Sequence, residues 1–150
     1  MRALIEGSIL VAIVLFDVFL SVIVPRRSDR KLRFSPYLVA FLWPVWRRYA
    51  VRLYPAWRRE NFMATFAPFM LVMLLATWVS VLVLGNGLIL HAMADQIRPP
   101  ADFTSALYLA GVSLLTIGFG DLVPVGLVAR LVTMTAAAEG LVVLALVISL

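Results

Sequence analysis

Residues 116–121 read Thr-Ile-Gly-Phe-Gly-Asp, and this hexapeptide decides which fold the chain adopts. A backbone whose successive carbonyl oxygens face one axis needs positive φ at alternate residues, which glycine adopts without a Cβ clash. Gly118 and Gly120 therefore allow the carbonyls to line up, while the side chains of Ile117 and Phe119 turn outward. Such a row of oxygens can replace the water around a dehydrated cation.

Long apolar runs surround the hexapeptide. Three of them approach or exceed the roughly 20 residues that a helix needs to cross a bilayer, and they cover residues 3–24, 62–84 and 125–150. Residues 103–115 form a shorter apolar segment, of the length of a re-entrant helix, which needs protein or water around it at membrane depth. With 63% hydrophobic residues, the chain is predicted to be an all-α integral membrane protein.

These runs predict the domain organisation. We expect an N-terminal transmembrane helix at residues 1–25, a basic and aromatic segment at 26–61, and a third region at 62–150. The first run is interpreted as a retained span and not a signal peptide, because it is long and lacks a small-residue cleavage site. The third region is expected to contain an outer helix at 62–90, a short helix at 102–115, the hexapeptide at 116–121 and an inner helix at 125–150.

The basic residues are concentrated in one segment. Ten of the 13 Lys and Arg residues lie between Arg26 and Arg59. Because basic segments beside membrane spans stay in the cytoplasm, residues 26–61 are predicted to be cytoplasmic and the N-terminus to lie outside the cell membrane. Interleaved Trp and Tyr favour one or two interfacial helices, with anionic lipid as a candidate partner and no nucleic acid expected.

Residues 102–140 resemble the pore region of potassium channels, whose Thr-Val-Gly-Tyr-Gly-Asp motif is close to residues 116–121. Ala106-Leu107-Tyr108 is similar to the start of that family's pore helix. Pro124 stands where a proline commonly follows the family's filter, and Arg130 matches a basic residue near the start of its inner helix. The whole chain is thus similar to a bacterial ion channel of this superfamily with one extra N-terminal span.

This resemblance implies a potassium-selective channel subunit that assembles as a homotetramer around a fourfold axis. Potassium ions in the filter are the expected cofactor, with no organic cofactor. Asp121 would lie at the outer mouth and Gly140 would be the inner-helix hinge. The implied ion-binding residues are Thr116, Ile117, Gly118, Phe119 and Gly120, and the implied cavity lining is Leu141, Leu144 and Ile148.

The chain departs from the family pattern at a bond that often braces the filter. Phe119 replaces the usual tyrosine, and Leu109 occupies a position where many relatives have an aromatic donor. Because both halves of the bond are missing, we expect an apolar cuff around the filter instead. Filter rigidity is affected more than selectivity, since the backbone carbonyls remain.

Two carboxylates, Asp17 and Glu139, interrupt the apolar runs. Each costs about 2.5 kcal/mol or more to insert, so each should have a partner or a function. Glu139 either tunes permeation or pH response, or makes a structural hydrogen bond to Thr135 or to the short helix. Asp17 is expected to face the helix bundle, with a partner that the sequence does not identify.

Other function classes remain open at the level of sequence. The chain has no cysteine, a single histidine and scattered acidic residues, so we expect no enzyme. A weakly selective cation channel and a potassium transporter subunit are alternatives, although transporters with related loops keep one filter glycine per loop and four loops in one chain. The third alternative is a non-conducting membrane subunit in which the loop has only a structural role.

Overall fold

The structure is a computed structural model that describes residues 1–22, 34–53 and 55–148. The basic residues predicted to be cytoplasmic between positions 26 and 33 lie outside the described residues. The described part of the chain contains six α-helices, a 3₁₀ turn and one pair of two-residue strands. In chain order they are α1 Arg2–Val22, α2 Phe34–Leu53, α3 Ala56–Ala64, α4 Phe66–His91, the turn Ala94–Gln96, β1 Ile97–Arg98, α5 Phe103–Leu114, β2 Val123–Pro124 and α6 Leu127–Ile148.

Three stretches of the described chain are long and apolar enough to cross a membrane: Arg2–Ser21, Arg58–His91 and Leu127–Ile148. Helix α5 is apolar but only 12 residues long, too short to span a bilayer. The prediction of a mostly helical membrane protein with three candidate spans is therefore confirmed.

Helix α1 packs along α4 through a close crossing at two glycines. A Cβ added to Gly7 would come 2.5 Å from the carbonyl oxygen of Gly85, so only glycine allows this approach. Farther along the interface, Val14 and Val18 of α1 are buried together with Leu82 of α4. Two glycines in one turn weaken a helix. Helix α4 nevertheless continues through residues 85–87 to His91, because neighbouring helices pack closely against that turn.

Helix α5 lies between α4 and α6 because its contact face carries small side chains. Ala106 and Ala110 of α5 and Ala129 of α6 are fully buried in one core with Leu90 of α4. Near the end of α5, a Cβ on Gly140 of α6 would overlap the carbonyl oxygen of Leu114. The two helices are therefore in backbone contact at this point.

Helices α2 and α3 lie largely in the segment 26–61, where the sequence predicts interfacial helices. Pro44 lies inside α2 without ending it, whereas Pro55 separates α2 from α3 as the N-cap of α3. Trp46 of α2 stacks on Phe62 of α3 and Phe69 of α4, with ring centroids 4.8 Å apart in each pair. Aromatic stacking thus joins α2 to the membrane-embedded part of the chain.

Candidate functional site

The site begins at the N-terminus of α5, where Asp102 is the N-cap residue. Its Oδ1 atom accepts a hydrogen bond from the Ser105 backbone N–H at 2.7 Å. Hydrogen bonds from Ser105 hold the pKa of the Asp102 carboxyl below its ordinary value. This cap fixes where α5 starts. The C-terminal end of α5, with its partial negative charge, then leads directly into the hexapeptide.

Positive φ alternates along the hexapeptide. Thr116, Gly118 and Gly120 have φ angles of 56°, 59° and 80°, whereas no residue between them is among those with positive φ. A Cβ at Gly118 or Gly120 would meet nothing within 4 Å, so the backbone angle, and not lack of space, requires glycine there. The sequence predicted positive φ at the two glycines but missed the left-handed conformation of Thr116.

The first half of the hexapeptide is hydrogen-bonded to the end of α5. The N–H of Thr116 donates to the Ser113 carbonyl at 3.0 Å. The carbonyl of Val112 accepts from Ile117 at 2.8 Å and from Gly118 at 3.3 Å. These three bonds use the amide groups of residues 116–118. The carbonyl groups of the same residues take no part in them and can face away from α5.

The apolar side chains of the hexapeptide are exposed in the single chain. Ile117 is 50% exposed and Phe119 is 69% exposed. Leu109, which replaces the family's aromatic donor, is instead buried in the core between α4 and α6. Large apolar side chains grouped on a surface mark a site of interaction with another molecule.

Asp121 lies against a tyrosine of α5. The Tyr108 hydroxyl interacts with the Asp121 carboxylate, which connects the C-terminal end of the hexapeptide to the preceding helix. Sequence reasoning used Tyr108 only as part of a motif and did not pair it with Asp121. The two residues are 13 positions apart in the chain, and their contact depends on how the loop folds back. The sequence therefore contained no direct signal of this contact.

The segment that follows the hexapeptide is fixed to the turn before α5. Ile97 pairs with Pro124 in the short antiparallel ladder, and Val125 N–H donates to the Gln96 carbonyl at 2.8 Å. Arg130 donates through Nε to the Pro124 carbonyl at 3.1 Å. Pro124 and Arg130, which matched the family pattern separately, are therefore in direct contact.

Glu139 is hydrogen-bonded to α4. Asn86 is 2% exposed and donates through Nδ2 to Oε2 of Glu139 at 2.8 Å. The two partners proposed for Glu139 from the sequence are wrong, because Thr135 donates to the Val132 carbonyl and α5 makes no bond to the carboxylate. Glu139 thus faces α4, about 200° around the helix from Leu141.

The remaining predicted residues occupy different places. Asp17 is 1% exposed in the α1–α4 interface, where Trp78 Nε1 donates to its Oδ2 atom at 2.8 Å. The structure therefore brings Asp17 together with α4 and not with the hexapeptide. Gly140 contacts Leu114, as described above. The predicted cavity-lining residues are exposed in the single chain, and they are Leu141, Leu144 and Ile148.

Comparison with known proteins identifies the family. The family model described as "Ion channel" matches residues 69–150, which include most of α4, all of α5, the hexapeptide and α6. The chain belongs to this ion channel family. The match places the protein in a membrane, and it favours a non-enzymatic role.

One relative of this ion channel chain is the uncharacterized membrane protein YdjJ of Bacillus subtilis (strain 168). The two proteins are 34% identical over 79 residues, which make up 49% of this chain and 23% of YdjJ. The chain therefore spans less than a quarter of that relative's length. No solved structure matches the chain.

Proposed function

We propose that the chain is a subunit of a potassium-selective channel whose filter consists of residues 116–120. The observation that supports this most is the alternation of positive φ at Thr116, Gly118 and Gly120. Left-handed residues that alternate with residues of negative φ can turn successive carbonyl oxygens to one side, and a ring of such oxygens substitutes for the hydration shell of potassium. In this proposal α5 is the re-entrant pore helix, and potassium ions occupy the filter.

The same proposal includes a homotetramer. One strand supplies oxygens to only one side of an ion, so several strands must surround an axis, and closed symmetry provides them. The exposed side chains of Ile117 and Phe119 would then be covered by neighbouring subunits. Asp121 would lie at the outer mouth of each filter strand, and the exposed face of α6 at Leu141 would line the cavity.

The orientation follows from the charges. The basic segment 26–61 is placed on the cytoplasmic side, so the N-terminus and the filter mouth lie outside the cell membrane. The inner end of α6 then reaches the cytoplasmic side. Gly140 as a gating hinge stays a prediction, because its contact with Leu114 already accounts for a glycine at this position.

The decisive experiment measures the reversal potential of the purified protein in planar bilayers with potassium on one side and sodium on the other. A potassium-selective channel gives a reversal potential far from zero, with the sign that opposes potassium flow toward the sodium side. Gly118→Ala should abolish selectivity or conduction, because alanine strains the left-handed backbone. Gly111→Ala is the matched control, since a Cβ there makes ordinary contact with Val83 and the residue is helical.

Other outcomes would assign the protein to an alternative class. A reversal potential near zero in opposed potassium and sodium gradients would indicate a weakly selective cation channel. Ion uptake into vesicles without single-channel steps would favour a potassium transporter subunit. Absence of any flux from a correctly assembled protein would indicate a non-conducting membrane subunit, and each of these results would overturn the proposal.

A further inference from the structure

Helix α2 lies outside residues 69–150 and has no part in the proposed filter. One of its faces is fixed against the rest of the chain. Trp46 stacks on Phe62 and donates through Nε1 to the Phe62 carbonyl at 3.3 Å, and Ala50 on the same side is fully buried. These contacts determine which face of α2 points away from the protein.

The side of α2 opposite Trp46 and Ala50 includes four exposed residues at helical spacing, which form a stripe: Phe41, Val45, Arg48 and Arg52. Steps of four, three and four residues keep all four side chains within about 60° of one another around the helix. The first half of the stripe is apolar, and Phe41 alone is 75% exposed. The second half carries two guanidinium groups one helical turn apart.

The charge of α2 is uncompensated within the helix. Residues 34–53 contain three arginines and no aspartate or glutamate. Among the residues that the structure describes, no carboxylate forms an ion pair with Arg48 or Arg52. A cleft of about 350 Å³ opens along this part of the helix, and it is lined by Pro44, Val45, Arg48, Tyr49 and Arg52.

We propose that this stripe binds one membrane phospholipid with an anionic head group. Arg48 and Arg52 hold the phosphate, because guanidinium groups match its geometry with paired hydrogen bonds. Phe41 and Val45 contact the start of an acyl chain. Tyr49 beside the arginines is suited to the head-group region, with an apolar ring and a polar tip.

The apolar half of the stripe distinguishes a lipid from other anions. A free phosphate ion or a nucleic acid would be held by the arginines alone, and the exposed Phe41 and Val45 would then have no role. A phospholipid uses both halves in the order in which the helix presents them. The inference depends on the membrane location of the chain and is independent of ion selectivity.

The test measures lipid binding to the full chain in detergent by native mass spectrometry. The probes are palmitoyl-oleoyl phosphatidylglycerol, the matching phosphatidylcholine and inorganic phosphate. Wild-type protein should bind phosphatidylglycerol more tightly than phosphatidylcholine. The double variant Arg48→Gln/Arg52→Gln should lose about 30-fold in phosphatidylglycerol affinity, because two basic contacts are removed. The control Arg2→Gln/Arg98→Gln loses the same charge away from the stripe and should keep the preference.

A third variant distinguishes binding of a phospholipid from binding of free inorganic phosphate. Phe41→Ser should weaken phosphatidylglycerol binding and leave any binding of inorganic phosphate unchanged. An unaltered lipid preference in Arg48→Gln/Arg52→Gln would overturn the proposal. So would displacement of the lipid by an equal concentration of inorganic phosphate, which would identify a simple anion site instead.

Discussion

Two side-chain hydrogen bonds connect helices inside the apolar part of the molecule. Trp78 of α4 donates to Asp17 of α1, and Asn86 of α4 donates to Glu139 of α6. Polar groups buried among apolar side chains cost free energy unless they are paired. Each carboxylate that looked anomalous in the sequence is therefore one half of a contact between two helices.

Trp78→Phe should weaken the attachment of α1 to α4. The variant keeps an aromatic ring but removes the indole N–H, and loss of a buried hydrogen bond to a carboxylate costs about 1–3 kcal/mol. The expected result is a lower temperature at which half of the protein in detergent is no longer monodisperse. Trp43→Phe is the control. Trp43 makes an edge contact with Phe66, and the variant keeps an aromatic ring at this position. Equal midpoints for both variants would contradict the assignment.

Glu139 should be structural and not part of the ion pathway. Glu139→Gln keeps an oxygen that accepts from Asn86, so stability and reversal potential should both be unchanged. Glu139→Leu removes the acceptor and should lower stability by about 1–3 kcal/mol. A change in conductance or in pH response of the Glu139→Gln channel would show instead that the charge acts on permeation.

At the scale of elements, the contact between α5 and α6 depends on Gly140. If Gly140 acted only as a hinge, Gly140→Ala would favour the helix by about 0.5–1 kcal/mol and raise stability. The backbone of Leu114 blocks a Cβ at this position, so we expect a loss of stability instead. The midpoint of thermal unfolding, compared with that of Gly111→Ala, distinguishes a gain of stability from a loss.

The cap of α5 should give the protein a dependence on acidic pH. The hydrogen bonds from Ser105 lower the pKa of Asp102 in the folded protein, below the ordinary value of 3.8. The ionised cap therefore stabilises the fold at pH values above the ordinary pKa, and this contribution is lost as the pH falls through the lowered pKa.

Asp102→Ser isolates this effect, because serine also caps helices but does not titrate. Thermal midpoints between pH 2.5 and 7 should fall more steeply for the wild type than for this variant at the acidic end. Parallel pH profiles for the two proteins would show that Asp102 does not contribute.

At the scale of the whole molecule, the single chain leaves the side chains of Ile117 and Phe119 exposed. We expect the protein in mild detergent to have the mass of four chains of 16.6 kDa each by light scattering. Phe119→Asp should reduce this assembly, since it places a charge where subunits would meet. A monodisperse single chain in the presence of potassium would contradict a tetrameric filter.

Much of the fold could be predicted from the sequence because membrane spans are long and apolar. The lengths of the apolar runs identified the three spanning stretches, and the glycine spacing predicted left-handed angles at residues 118 and 120. The partners of Asp17 and Glu139 could not be predicted, since residues 61 and 53 positions apart meet only when the rotation of each helix is known. The position of α2 likewise depends on the stacking of Trp46, which no periodicity reveals.

Helix α4 contacts every other helix of the described chain. Its hydrogen bond from Trp78 and its glycine crossing serve α1, its hydrogen bond from Asn86 serves α6, and its aromatic end serves α2. The contacts of α4 are therefore spread around the helix and not confined to one face. In a systematic substitution survey, α4 should tolerate the fewest changes around its circumference, whereas the outward face of α1 should accept many. Large changes in α4 would disturb several of these contacts at once, so a contact with one neighbour is best probed by a change as small as Trp78→Phe.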